Sequence, residues 1–249
     1  MAHETTEKQP RSHPRRRHLV STAGPTEKER EYLEVIYYLN ARDEPIIAAR
    51  LARWMGVQPP TVTHLVRQME EKQYITRNER GEIALTATGY PLAEGVVRRH
   101  RILERFLADV LHMPWYLLHE EAVRMEHALS PSLTTYIERA VGDVQTCPHG
   151  NPIPGRASPS YGGTTRLDAA PLHTIFTVRR VLEEAEEDME LMRYLQANEL
   201  VPDAQFTIAE TSPAYGVTLQ RRHYTITVSP EIAAVLWGDT APPLPKQED

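Results

Sequence analysis

Two runs of this chain, HRILERFLADVL from His100 and LHEEAVRMEHAL from Leu118, carry imidazoles and carboxylates at helical spacing. His100 and Glu104 stand four residues apart and so share one face of a helix. His119 stands seven and eight residues before Glu126 and His127, two turns along, so these three also share a face. Imidazole and carboxylate donors converging from two helices are suited to a divalent transition metal.

The segments before this stretch read as a DNA-binding unit. Thr26 followed by Glu29 has the form of a capping box at the start of a helix, EKEREYLEVIYYLNA, whose stripe is Leu33, Ile36, Tyr37 and Asn40. A short helix with Ile47, Leu51 and Trp54 follows. Gly56 makes a tight turn, and Pro59 and Pro60 open a second helix with Val62, Leu65, Val66 and Met69 on its buried side. Two helices joined by a short turn form a helix-turn-helix, and ITRNERGEIALT, with Gly81 at its turn, is predicted to be the wing hairpin. From Thr88 to Ala140 the periodicity is helical again. Residues 141–171 are rich in Gly, Pro and Ser, and from Leu172 onward short alternating strands flank an acidic helix at 184–197.

Composition sets the limits. The chain has 249 residues and a net charge of −6, enough for two domains and a shorter third element. The acid is concentrated in EEAEEDME, residues 183–190, away from the arginines of the helix-turn-helix, so the negative total does not exclude DNA. A single cysteine, Cys147, permits no disulfide within one chain and fits a cytoplasmic setting. No apolar run is long enough for a bilayer, and the basic cluster RSHPRRRHLV lacks the apolar segment of a secretory signal. No membrane partner and no small-molecule substrate are expected. Enzyme readings are weak: the metalloprotease pattern begun at His119-Glu120 lacks its second histidine, because Val123 stands there, and no phosphate loop or nucleophile elbow occurs. Two alternatives stay open: a winged-helix regulator sensing an organic ligand or redox state, and a carboxylate/histidine metalloenzyme. Cys147 and His149 suggest half a zinc site, but two donors are too few.

The runs EREYLEVIYYL, PPTVTHLVRQMEE, RRHRILERFLADVL, HEEAVRMEHALS and CPHGNPIPG, in this order and spacing, resemble the diphtheria-toxin-repressor family of metal-dependent regulators, which includes manganese-responsive repressors. The resemblance implies a mainly α fold with small β elements. Its expected divisions are a disordered basic tail (1–25), a winged helix-turn-helix domain (26–87), a helical dimerisation and metal-binding domain (88–141), a linker (142–171), an SH3-like β-barrel (172–238) and a tail (239–249). It implies a homodimer that binds an inverted-repeat operator on double-stranded DNA and represses metal-uptake genes.

Carried onto this sequence, the resemblance implies one metal site from Glu31, Glu34, Glu126 and His127, and an ancillary site from His100, Glu104 and His119. Two residues of the C-terminal domain, Glu187 and Glu190, would complete the latter, with Glu186 and Asp188 within one turn of slippage. Val123 departs from the pattern, occupying a position where the family has cysteine or glutamate, so the first site lacks one donor. With no sulfur in either expected site, the metal would be Mn²⁺ or Fe²⁺, two ions per subunit. On the helix-turn-helix, Gln58, Pro60, Thr61, Thr63 and His64 are expected to face bases or phosphates. Arg50, Arg53, Arg67, Arg77 and Arg80 are expected to face phosphates, with Arg80 at the wing tip.

Overall fold

The computed structural model describes residues 24–40, 45–126, 128–156, 163–221 and 223–242. Of the expected tails, residues 1–23 and 243–249 lie outside the described residues, as does His127; the expected C-terminal tail begins instead inside a strand, Leu236–Ala241, which pairs in the sheet.

Helix α1 (Glu27–Asn40) opens with the capping box in both directions: Thr26 N donates to Glu29 Oε2 at 2.8 Å, and Glu29 N donates to Thr26 Oγ1 at 3.3 Å. It buries Tyr32, Leu33, Val35, Ile36 and Leu39. That burial is wider than a single stripe, because α1 packs both on the helix-turn-helix and on the long helix that follows. Asn40, expected on the stripe, is exposed.

Helices α2 (Ala48–Trp54) and α3 (Pro59–Glu71) are joined through Gly56 at φ +60°, a left-handed conformation that glycine adopts without side-chain strain. Val62, Val66 and Met69 of α3 close the core over Leu33, Ile36 and Leu51. Strands β1 (Ile75–Arg77) and β2 (Ile83–Leu85) pair as the antiparallel hairpin expected for the wing.

Helix α4 (Gly89–Arg105) runs into a π-helical turn at Phe106–Val110. Helices α5 (Leu118–Glu126) and α6 (Pro131–Val141) pack with them around Ile102, Leu103, Leu107, Leu118, Ala122 and Ile137. Ser130 caps α6 by accepting from Leu133 N at 3.2 Å, with Pro131 in the first turn.

The remainder is an antiparallel sheet in the order β3-β8-β4-β5-β6-β7: β3 (Thr165–Arg166), β4 (Ile175–Val181), β5 (Gln205–Ser212), β6 (Gly216–Arg221), β7 (Tyr224–Val228) and β8 (Leu236–Ala241). Phe176, Phe206, Ile208 and Leu219 fill its core. The edges are β3 and β7, with no pairing between them among the described residues, so the sheet is open where a closed barrel was expected. With only two residues, β3 offers little edge to close upon.

The acidic run also departs from expectation. It forms a single turn, α7 (Glu183–Glu186), and then α8 (Met189–Ala197), rather than one helix. The break occurs because Asp188, extended at φ −105°, ψ 95°, turns its carboxylate onto the N–H groups of Glu190 and Leu191, both at 3.0 Å.

The Gly/Pro-rich segment after α6 is no free linker over residues 146–153. Thr146, Cys147, His149, Asn151 and Ile153 are buried. Val181 N donates to His149 O at 2.9 Å and Asn151 Nδ2 to Val181 O at 2.8 Å, which fastens the loop to β4. Gly150 sits at φ +89°, and a Cβ there would lie 1.9 Å from Arg179 O. Gly150→Ala should therefore cost about 3 kcal/mol in chemical denaturation, the upper range for a strained backbone position. An unchanged unfolding midpoint would show that the loop yields freely.

Candidate metal centre

Helices α1, α4 and α5, the 146–153 loop and the turn α7 meet around a buried row of ligand-type side chains. His100 occupies the middle. Its Nδ1 lies 3.1 Å from Glu126 Oε2 and 3.7 Å from Glu34 Oε1. Its Nε2 lies 3.3 Å from Glu104 Oε1 and 3.1 Å from His119 Nδ1. One imidazole thus faces two groupings. In the first, Glu34, His100 and Glu126 converge; in the second, His100, Glu104, His119 and Glu186 converge, each set with its ligand atoms within 4.8 Å of one another.

The second grouping extends further than the sequence suggested. His149 Nδ1 lies 3.3 Å from Glu104 Oε1 and 3.4 Å from Glu186 Oε2, and Glu104, Cys147 and His149 form a third convergent set. A sulfur donor is therefore at hand where none was expected. The motif CPHGNPIPG was visible in the sequence, but its meeting with Glu104 depends on the fold. The loop is anchored there by Arg105, whose Nε donates to Thr146 O at 2.7 Å, and by Trp115, whose Nε1 donates to Pro148 O at 2.9 Å.

The break at Asp188 decides which acidic residues reach the cluster. Glu186 is buried, its Oε2 lying 3.4 Å from His119 Nδ1, while its Oε1 accepts from Asn151 Nδ2 at 2.9 Å. Glu187 stands at the rim, with Oε1 3.7 Å from His119 Nε2. Glu190 is not brought to the cluster: it is exposed and pairs with Arg193 at 3.0 Å, because the cap at Asp188 starts a new helix facing another way. Asp188 spends its carboxylate on that cap. Glu31 likewise pairs with Lys28 at 2.7 Å, one turn from Glu34. Val123 is 38% exposed, and the first grouping takes Glu34 from α1 as its third member.

Electrostatics follow from four buried carboxylates, Glu34, Glu104, Glu126 and Glu186, facing three buried imidazoles, His100, His119 and His149. Burial alone would push the His100 pKa down, but Glu34 and Glu104 outweigh it and raise the value to about 10. Burial is likewise overcome at His119, by its bonds to Glu104 and Glu186, and at His149, by the charges of Glu186 and Glu104, so both are held well above the usual imidazole range. Burial raises Glu34. At Glu104 the charges of His149 and His100 overcome burial and hold the carboxyl well below its usual range. Burial pushes the Cys147 thiol up to about 11.

Three buried atoms in this row, Glu104 Oε2, His119 Nε2 and His149 Nδ1, make no well-aligned hydrogen bond among the described residues, although His149 Nδ1 has carboxylate oxygens at 3.3 and 3.4 Å. Unmet buried polar atoms are uncommon and call for an explanation, an absent ion being one. Together with the carboxylate, imidazole and thiol donors, they fit divalent transition-metal ions.

In the helix-turn-helix unit, Gln58, Pro60, Thr61, Thr63, His64 and Arg67 are exposed on or beside α3, Arg80 is exposed at the hairpin tip, and Arg50 is partly exposed on α2. Arg53 and Arg77 are exposed as well. Arg77 is engaged with Glu70 at 2.5 Å, and Arg67 with Glu71 at 3.3 Å.

Comparison with known proteins matches residues 26–82 to the family model "Iron dependent repressor, N-terminal DNA binding domain" and residues 86–155 to "Iron dependent repressor, metal binding and dimerisation domain". The chain is 32% identical over 213 residues to the iron-dependent repressor IdeR of Mycobacterium tuberculosis, covering 81% of this chain and 92% of that protein. It is 33% identical over 178 residues to the diphtheria toxin repressor of Corynebacterium diphtheriae, covering 71% and 75%. Among solved structures, it resembles a manganese-dependent transcriptional repressor in complex with manganese, with a TM-score of 0.75 and 27% identity over 85% of this chain and 99% of that one.

Proposed function

The chain belongs to the family of iron- and manganese-dependent, DNA-binding transcription repressors, and from that premise we propose that it is a homodimeric repressor activated by two Mn²⁺ or Fe²⁺ ions per subunit. It is not an enzyme: its relatives are repressors. The observation that carries the reading is the buried ligand row with three atoms that make no well-aligned hydrogen bond, in contact with the helix-turn-helix through Trp54 and Glu187.

One ion would be held by Glu34, His100 and Glu126, with His127 as a further ligand and Glu31, which pairs with Lys28, outside the set. The other would be held by Glu104, His119, Glu186 and the loop residues His149 and Cys147, against the Nε2 side of His100 and with Glu187 at its rim. Bound cations supply the positive charge that lets these carboxylates and neutral imidazoles stay together in a dry interior. Glu34 belongs to α1, Glu126 to α5 and Glu186 to the sheet unit, so the ligands tie the DNA-binding helices to the rest of the chain. Fe²⁺ and Mn²⁺ both suit the oxygen and nitrogen donors; Cys147 adds a softer donor to the second site.

In this reading residues 26–87 bind DNA, 88–141 dimerise and bind metal, and 172–238 form an SH3-like unit. Exposed Val110, Leu111, Leu133 and Tyr136 on the helical unit support homodimerisation. Paired α3 helices would read an inverted repeat through Gln58, Pro60, Thr61, Thr63 and His64, with Arg50, Arg67 and Arg80 on phosphates. No helix among the described residues is long and apolar enough to cross a membrane, in keeping with a regulator working in the cytoplasm.

The test is a gel shift on DNA from the gene's own upstream region. Mn²⁺ should tighten binding by a factor in the range of about 5–150 relative to EDTA, the usual span of allosteric coupling. Equal binding in both conditions would refute the metal switch. At fixed Mn²⁺, log affinity should fall by about 0.9 per log unit of salt for each neutralised phosphate; a flat response would remove the arginines from the DNA contact.

A further inference from the structure

Trp54 ends α2, the first helix of the helix-turn-helix, and is reached from both ligand groupings. On one side its ring stacks on Tyr38, with centroids 6.2 Å apart and planes 29° apart. The Tyr38 hydroxyl donates to Glu34 Oε1 at 2.6 Å, and Glu34 faces His100. On the other side, Trp54 Nε1 donates to Glu187 Oε1 at 3.4 Å. That same oxygen lies 3.7 Å from His119 Nε2. The guanidinium of Arg101, the neighbour of His100, sits 5.4 Å from the Tyr38 ring centroid. Glu34, Tyr38, Trp54, Glu187, His119 and His100 therefore close a ring of side chains whose member on the helix-turn-helix pair α2–α3 is Trp54.

We propose that Trp54 is the positioning residue through which both metal groupings hold the helix-turn-helix, Tyr38 transmitting the state of Glu34 and Glu187 transmitting the state of His119. The inference rests on the metal reading above but adds a route. A shift of Glu34 toward a ligand position moves the acceptor of the Tyr38 hydroxyl and hence the ring under Trp54. A shift of His119 changes the seat of Glu187, which lies 133 residues from Trp54 in sequence and by this bond lets the C-terminal unit grip α2. Glu187 at the rim has room for this outer role because the buried Glu186 occupies the inner position. Chains of packed and hydrogen-bonded side chains are one physical carrier of coupling free energy between two sites.

Hydrogen–deuterium exchange of the full-length protein, with Mn²⁺ alone or with EDTA, tests this without DNA. In the wild type, Mn²⁺ should slow exchange both in α4–α5 and in α2–α3. In Trp54→Phe, which keeps an aromatic ring but removes the indole donor, slowing in α4–α5 should persist, while slowing in α2–α3 should shrink about fivefold, the weight of one hydrogen bond. Glu187→Leu, which removes the acceptor of the indole N–H, should give the same partial loss, and the double variant no more than either alone, since both cut one connection. Tyr38→Phe should reduce α2–α3 slowing by the other route, adding to Trp54→Phe. Faster α2–α3 exchange in Trp54→Phe by an equal factor with and without Mn²⁺ would mark a purely structural residue and overturn the proposal. Full Mn²⁺ slowing of α2–α3 in Trp54→Phe would also overturn it. If Mn²⁺ slowed nothing in the wild type, the metal reading itself would fail.

Discussion

Replacing His100 with alanine should abolish occupancy of both metal groupings, whereas replacing His119 should affect only one. The reason is geometric. The two ring nitrogens of His100 face opposite sets, Nδ1 toward Glu34 and Glu126 and Nε2 toward Glu104 and His119. Loss of outer partners that merely orient a ligand already weakens metal affinity 10–100-fold, so loss of a shared residue should cost about 100-fold or more. Calorimetric titration with Mn²⁺ should give two ions per subunit for the wild type, one tight ion for His119→Ala and none in the same range for His100→Ala. DNA binding by His100→Ala in Mn²⁺ should fall to the wild-type level in EDTA. The metal-free variant should also be less stable, since buried carboxylates lose a compensating charge; circular dichroism would establish that it is folded. Two ions bound to His100→Ala at near wild-type affinity would show that the groupings do not share this residue.

The second large effect is on pH. In the metal-free protein His100 titrates near 10 against a reference of 6.5. A raised histidine pKa contributes stability that is fully present below about 6.5 and is lost as pH rises through about 10. His119 and His149 are raised in the same direction. Protein in EDTA should therefore lose thermal stability steadily between pH 6.5 and 10, while Mn²⁺-loaded protein should lose much less. Because imidazoles must be neutral to ligate, metal uptake near pH 7 must expel their protons. Apparent Mn²⁺ affinity should then climb about tenfold per pH unit for each proton released. Calorimetry in buffers of different ionisation enthalpy measures that number directly. Zero protons released at pH 7 would mean that the imidazoles are neutral in the free protein or are not ligands.

Much of the chain was legible without coordinates because its signals are local. The capping box at Thr26 and Glu29, the prolines opening α3, Gly56 in the turn and the i,i+4 pair His100/Glu104 each depend on a few adjacent residues, and each forms as the spacing requires. The acidic run was less readable. Six carboxylates in eight positions give no apolar periodicity from which to set a helical phase, and Asp188 breaks the helix by capping the next one. A one-residue change of phase turns a side chain by about 100°, enough to bring Glu186 inward and leave Glu190 paired with Arg193 in solvent.

The sequence by itself determined the ligand chemistry of α4 and α5 and the DNA-reading architecture before them, since helix spacing alone aligns those side chains. Only the tertiary structure decided that Glu34 reaches His100, that Glu186 reaches His119, and that His149 and Cys147 meet Glu104. These residues lie on separate elements, and their meeting depends on long-range packing: α1 against α4, and the Gly150 loop pressed onto β4. No local periodicity encodes such contacts, because their partners are dozens of residues away and are fixed only when the cores close.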